Sequence, residues 1–172
     1  VDKPAKFCQK DTDARWTKTH GKSHYGYKNH INVDRRHKLV RCYHVTNASV
    51  HDSQALEEVL DADNTASNVW ADSAYRSADI EKLLKGKGLT SRIHYKGHRN
   101  KPLSKRQEQG NKTRSKTRVR VEHIFGAQGN DMGGTLVRSI GIIRAKVHIG
   151  LKNLAYNMRR LVQLEHLATA PP

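Results

Sequence analysis

At 172 residues the chain is about the size of one domain and too short for two ordinary ones. With 35% hydrophobic and 28% charged residues, and no run near the ~18 apolar residues of a membrane helix, the composition implies a lean core and excludes an integral helical membrane protein. Thirty-two Lys+Arg against 16 Asp+Glu leave a net charge of +16, which points to a polyanionic partner, nucleic acid foremost.

The first 24 residues are polar, with Phe7, Cys8 and Trp16 as isolated apolar positions, and read as an extended arm. YGYKNHINV (25–33) and LVRCYHVTN (39–47) are rich in Tyr, Val and Ile with rough alternation, and the polar DRRHK between them makes a β-hairpin. A short helix follows, capped by Asp52 or Ser53, with Ala55, Leu56, Val59 and Leu60 on one face. NVWA reads as a buried strand ending at Asp72. Ser77 then starts a helix with Ile80, Leu83 and Leu84 on one side, and LTSRIHY (89–95) is the returning strand. Strand, helix and strand in so short a span form a βαβ unit with parallel strands. Residues 96–117 have almost no apolar content and read as an exposed, flexible basic insertion. A helix is expected through RVRVEHIFGAQ, then a glycine-rich break. A last amphipathic helix over about 142–166 places Val147, Leu151, Leu154, Met158 and Leu161 at helical spacing, with Ala155 and Val162 beside them, to pack on the rest. The predicted class is α/β, one domain over 25–167 with a short tail at 168–172.

Charge is concentrated: residues 92–120 hold 11 Lys/Arg and one acid, Glu108, whereas residues 51–100 carry seven bases and eight acids. The basic segment is therefore the expected nucleic-acid contact, which charge alone leaves open between an enzyme acting on DNA, an RNA binder and a DNA coat, with Arg99, Lys101, Lys112, Arg114, Lys116, Arg118 and Arg120 as phosphate-binding candidates. Two acids stand out. Asp72 follows three apolar residues at the carboxyl end of a strand, where open α/β sheets place their working groups; the plainer alternative is a cap on the following turn. Glu122 lies among Val121, Ile124 and Phe125, four residues after Arg118 on one helix face. That spacing serves an ordinary ion pair or a carboxylate metal ligand with an arginine set beside it to meet phosphate. Carboxylates suit Mg²⁺ or Mn²⁺, and two such ions can activate water and stabilise a leaving oxygen in phosphodiester cleavage. The eleven histidines, among them His20, His24 and His30, could be drawn with Cys8 or Cys42 as a zinc site, but no HExxH or CxxC supports it. His51-Asp52 could be a catalytic pair, although capping explains Asp52 more simply. With only two cysteines and no apolar leader in VDKPAKFCQK, a cytoplasmic setting is expected.

In order, DTDARWTKTHGKSHYGYKNHINVD, VHDSQALEEVLD, VWADSAYRS, SRIHYKGHRNKPL and RVRVEHIFG resemble the catalytic domain of bacterial insertion-sequence transposases of the DDE class, over about residues 11–165. The resemblance implies a ribonuclease-H-like mixed sheet flanked by helices. It also implies three carboxylates holding two Mg²⁺ or Mn²⁺ ions, hydrolysis at element ends and strand transfer into target DNA by a dimer or larger assembly. By motif, Asp72 matches the second acid and Glu122 the third. The family signature Tyr-x2-Arg-x3-Glu-x6-Lys is met at Arg118 and Glu122, while Ser115 stands at the Tyr position and Gly129 at the Lys position. No strand bearing a first acid precedes the hairpin: Val1-Asp2 is followed at once by Lys3-Pro4, and Asp11 and Asp13 fall in the family's stretch after its first acid. The resemblance is thus to a transposase domain lacking its first strand, an incomplete and inactive copy. The competing reading is a non-catalytic basic DNA-binding remnant; a ribosomal-type RNA protein would explain the charge but not the two acids.

Overall fold

The computed structural model describes residues 9–19, 21–63 and 66–169; Val1, Asp2, Lys3, Pro4, Phe7, Cys8 and His20, which entered the sequence reading, lie outside them. The hairpin forms and begins earlier than its alternation indicates. Strands β1 (Arg15–Thr19), β2 (Lys22–Val33) and β3 (Val40–Asn47) make an antiparallel meander in that spatial order. Residues 15–19, expected in an unpaired arm, lie opposite 22–26, with the Trp16 and Tyr25 rings 5.1 Å apart. A cross-strand aromatic pair of this kind stabilises a ribbon by about 0.2–1 kcal/mol, and Gly21, at φ +78°, turns the chain between the strands. Polar composition concealed this strand because both of its faces are largely open to water.

The short helix α1 (Leu56–Val59) follows a 3₁₀ turn, Asp52–Ala55, whose cap is the His51 side chain rather than Asp52 or Ser53. The βαβ unit is as expected: β4 (Asn68–Val69), α2 (Ala78–Gly86) and β5 (Thr90–Ser91), the two strands parallel. Their backbone ladder continues past the strand ends, from Arg92 N–H to the Val69 carbonyl (2.7 Å) and from His94 N–H to the Ala71 carbonyl (3.1 Å). Ser77 caps α2 by accepting from the Ile80 amide. Leu56, Ile80, Leu84 and Ile93 form the core of this half.

Residues 96–117 are not a flexible insertion throughout. Helix α3 (Lys105–Asn130) includes their second half, opened by a capping box in which Ser104 and Gln107 bond each other's backbone. Lys, Arg, Gln and Glu are good helix formers, so the helix needs no apolar face there; it is tied down instead by Asn111, whose amide both donates to and accepts from the Tyr95 backbone. Helix α4 (Ile142–Thr169) ends the fold.

The face that α4 turns inward is not the predicted one. Ala145, Ile149, Asn153 and Tyr156 are buried, while Val147, Leu151, Leu154, Met158 and Leu161 are each more than half exposed. Polar side chains hold the inner face. Asn157 accepts from the Val40 amide and donates to the Val40 carbonyl, both at 2.8 Å. The Tyr156 hydroxyl donates to the carbonyl of Lys38, a left-handed residue (φ 61°) in the β2–β3 turn. Asn153 shares a buried amide network with Asn29 and Gln128. Asp11 and Asp13 serve the start of α4, accepting from the Gly141 and Ile142 amides at 3.1 and 2.9 Å, where negative charge favours a helix N-terminus. Val40, Ile124 and Tyr156 form the second core cluster, between the meander, α3 and α4. The architecture is mixed α/β, and no described helix is long and apolar enough to cross a membrane.

Candidate active site

Asp72 stands just past β4, where the parallel ladder ends. Its carboxylate accepts from the Ser73 amide and caps the 3₁₀ turn Ser73–Tyr75. The capping role anticipated as the plain alternative is therefore real, and it uses only part of the group: the other oxygen faces α3. There Arg118 donates through Nη1 to Asp72 Oδ2 and through Nη2 to Glu122 Oε1, both at 2.6 Å. The terminal nitrogens of one guanidinium lie about 2.3 Å apart. The two carboxylate oxygens are thus at most about 7.5 Å from each other. A strand end and a helix turn separated by some fifty residues converge on one cation, and the i, i+4 pair is one arm of a three-group cluster.

Burial pushes the Asp72 carboxyl up, but the Arg118 charge and the bonds from Ser73 outweigh it and hold it below the usual carboxylate range. His94, at the end of β5, lies in the same field. Desolvation first, then the positive charge of Arg118, pull its ring below the usual histidine range, against the opposing pull of Asp72. Its Nε2 lies 3.5 Å from the Ser115 hydroxyl, the residue at the family's Tyr position. Sequence reading passed over His94 among eleven histidines; its place three residues after Ser91, level with Asp72 across a parallel pair, was the available signal.

Asp72, Arg118 and Glu122 line a cleft of about 490 Å³, together with Ile31 and Val33 of β2 and with Val69 and Ala71 at and just past β4. The 27–33 part of β2 pairs only with β3 among the described residues, and β4 pairs only with β5. Tyr75 lines the cleft, its phenol pushed up to about 12 by burial and by Asp52 and Asp72. Arg120 lines it too; its Nη1 donates to the Lys116 carbonyl and its buried Nε has no partner among the described residues.

The other basic candidates divide. Lys112 and Lys116 are exposed along α3, and Arg99 and Lys101 are exposed in the turn closed by His98 and Lys101. Arg114 is committed internally: it donates to the Ile93 carbonyl and stacks 4.2 Å from the Tyr95 ring, which also carries Arg76 at 4.6 Å. Gly129 lies on α3 with open space where a side chain would be.

Oxygen donors from two carboxylates suit a hard divalent cation completed by water and phosphate. Among the described residues no group of three His, Cys, Asp or Glu converges to hold a metal. Asp52 also lines the cleft, where it pairs with Lys28 at 3.2 Å.

The family described as transposase DDE domain matches residues 2–158. The chain is 33% identical, over 149 residues, to the transposase for insertion sequence element IS1106 of Neisseria meningitidis serogroup B. That match covers 87% of this chain and 51% of the relative, so the chain spans about half the length of the curated relative it matches. No solved structure matches it.

Proposed function

The chain belongs to the transposase DDE domain family, and from that premise we propose that it is part of the catalytic domain of an insertion-sequence transposase, built on a ribonuclease-H-like scaffold and acting on double-stranded DNA. The reaction is hydrolysis of a phosphodiester at an element end, followed by attack of the freed 3′-hydroxyl on target DNA. The observation that carries the reading is the single guanidinium of Arg118 gripping both Asp72 and Glu122.

Asp72 and Glu122 are the residues that would hold Mg²⁺ or Mn²⁺. When bound, the metal supplies charge for the scissile phosphate and lowers the pKa of a water. Arg118 neutralises the two acids in the free chain and is placed to turn to a DNA phosphate. Lys112, Lys116, Arg99 and Lys101 add the sequence-independent grip on the backbone.

The reading extends to the cleft. A cleft lined by β2, by β4 and by the two acids supports a sheet open where one further strand would join β2 to β4 and bring a third carboxylate. With two acids in the Arg118 cluster, one cation site rather than two is expected. The chain by itself is then inactive in cleavage, since removing one member of a cooperative catalytic unit commonly costs several orders of magnitude.

A Mn²⁺ titration followed by NMR tests this. Broadening centred on Asp72 and Glu122, with no divalent-dependent nicking of duplex DNA, is the expected result. No broadening at either acid overturns the catalytic reading in favour of the DNA-binding remnant. Nicking that disappears in Asp72→Ala keeps the catalytic reading and overturns the incompleteness.

A further inference from the structure

The outer face of α4 carries a pattern that the fold leaves unused. Val147, Leu151, Leu154, Met158 and Leu161 follow one another at intervals of four, three, four and three residues, and are 51–62% exposed. That is the spacing of a helix–helix seam rather than of a broad core-facing stripe. It points away from the face that Ala145, Ile149, Asn153 and Tyr156 bury against the meander. The flanking position Ala155 is small and exposed, which lets a second helix approach closely on that side, while at Gly150 the Tyr43 ring already fills the space beside the helix. A strand is a poor occupant, because the neighbouring edge of β3 is closed at Val40 by Asn157, which takes both its amide and its carbonyl.

We propose that this face is a self-association seam on which α4 of a second copy of the chain packs antiparallel. Charge selects both the occupant and its direction. One step of the same spacing before Val147 stands Arg144, and one step after Leu161 stands Glu165, both exposed. Antiparallel copies bring Arg144 of each within about one turn of Glu165 of the other, at both ends of the seam. Parallel copies would set arginine on arginine and glutamate on glutamate. The surface is thus complementary to itself under a two-fold axis, as a closed dimer requires. Two heptads are too few for a free-standing coiled coil, so the pairing depends on a helix already held by its inner face. Each copy carries +16, so salt that screens the overall repulsion strengthens the dimer. The inference stands apart from the carboxylate reading and uses none of its residues.

Sedimentation equilibrium of the nuclease-treated chain from 1 to 500 µM, in 0.15 and 0.5 M salt, is the test. A concentration-dependent dimer is expected, weakened at least tenfold by Leu154→Lys. Arg144→Glu should weaken it at 0.15 M salt, and Arg144→Glu with Glu165→Arg should restore it. A chain monomeric throughout leaves the seam to some other occupant and overturns the proposal. So does a dimer indifferent to Leu154→Lys while circular dichroism shows it folded. Strengthening by Arg144→Glu alone overturns the antiparallel arrangement. A Leu154→Lys chain that fails to fold leaves the decision to the charge pair, since both of its residues are exposed and the double variant must restore what the single one loses.

Discussion

Replacing Arg118 with Gln separates a structural clamp from a metal site held closed by its own counter-charge. The variant loses two charge-assisted hydrogen bonds of 2.6 Å, to Asp72 and Glu122. All three groups are partly solvated: the side chains are 32%, 47% and 58% exposed for Arg118, Asp72 and Glu122. Each pair is therefore valued near the upper end of exposed ion pairs, about 0.5–1 kcal/mol, and the cluster at about 1–2 kcal/mol. For a chain of this size that is a fall in the unfolding temperature of roughly 2–8 °C. The two acids are left facing each other without a cation, so Asp72 protonates more readily. The same 1–2 kcal/mol no longer opposes a divalent ion, and Mn²⁺ affinity should rise by a factor of roughly 5 to 30. Mn²⁺ binding followed by electron paramagnetic resonance, beside thermal unfolding with and without the ion, checks both halves. A variant that loses stability yet binds Mn²⁺ no better than the parent would refute the idea that Arg118 occupies the cation's place.

Further outcomes follow from the same geometry. His30 is buried, bonded to the Thr46 hydroxyl at 2.9 Å, and burial pulls its pKa below the ordinary 6.5. The unfolded chain therefore takes up this proton first, so stability is full above about pH 6.5 and declines as the pH falls through that value towards the folded pKa; His30→Gln should flatten this part of a urea-midpoint profile. Asp11 works in a lower window. Burial pushes its carboxyl up, but the Tyr27 hydroxyl and the Gly141, Ala14 and Asp13 amides bring it below the ordinary 3.8 of an aspartate. Its contribution is present above that value and lost as the pH falls through the folded pKa, so Asp11→Asn should lower stability near neutrality and change little at strongly acid pH, as seen by circular dichroism. Leu84→Ala empties a fully buried position and should cost about 2–5 kcal/mol in denaturant unfolding. Lys112→Ala with Lys116→Ala should weaken duplex binding alike for all sequences and reduce the slope of log K against log salt by about 2, measured by fluorescence anisotropy.

Much of the site was legible because its signals are local. A run of apolar residues closed by Asp72 marks a strand end, and the interval from Arg118 to Glu122 marks one helix face; only their meeting required the fold. What stayed hidden has a common cause. β1 and the first half of α3 bury no apolar face, and the inner face of α4 mixes Ala145, Ile149 and Tyr156 with hydrogen-bonding Asn153 and Asn157, so hydrophobic periodicity marks none of them. On α4 it misleads: the strongest apolar stripe faces outward, and the inward stripe runs Asn153, Tyr156, Asn157, Arg160. Asp11 and Asp13 carried chemistry in the sequence but no sign of their target, which lies some 130 residues away at the start of α4.

That last contact ties the ends of the described span to the site in a specific order. Asp11 and Asp13 fix the N-terminus of α4, and α4 grips the β2–β3 turn through Tyr156, Asn157 and Arg160. The buried amides of Asn29, Gln128 and Asn153 then join β2 and α4 to α3, the helix that presents Arg118 and Glu122. Asp72 comes from the other core, the βαβ unit, and meets α3 chiefly through Arg118, with Arg114 and Asn111 bonding the strand end nearby. The two halves of the molecule thus meet at the candidate site through charged and amide groups, with the cleft beside them. Polar joints of this kind lose little packing when they open. The spacing of Asp72 and Glu122 is therefore set at this joint, by Arg118 and the bonds around it, rather than inside either hydrophobic cluster.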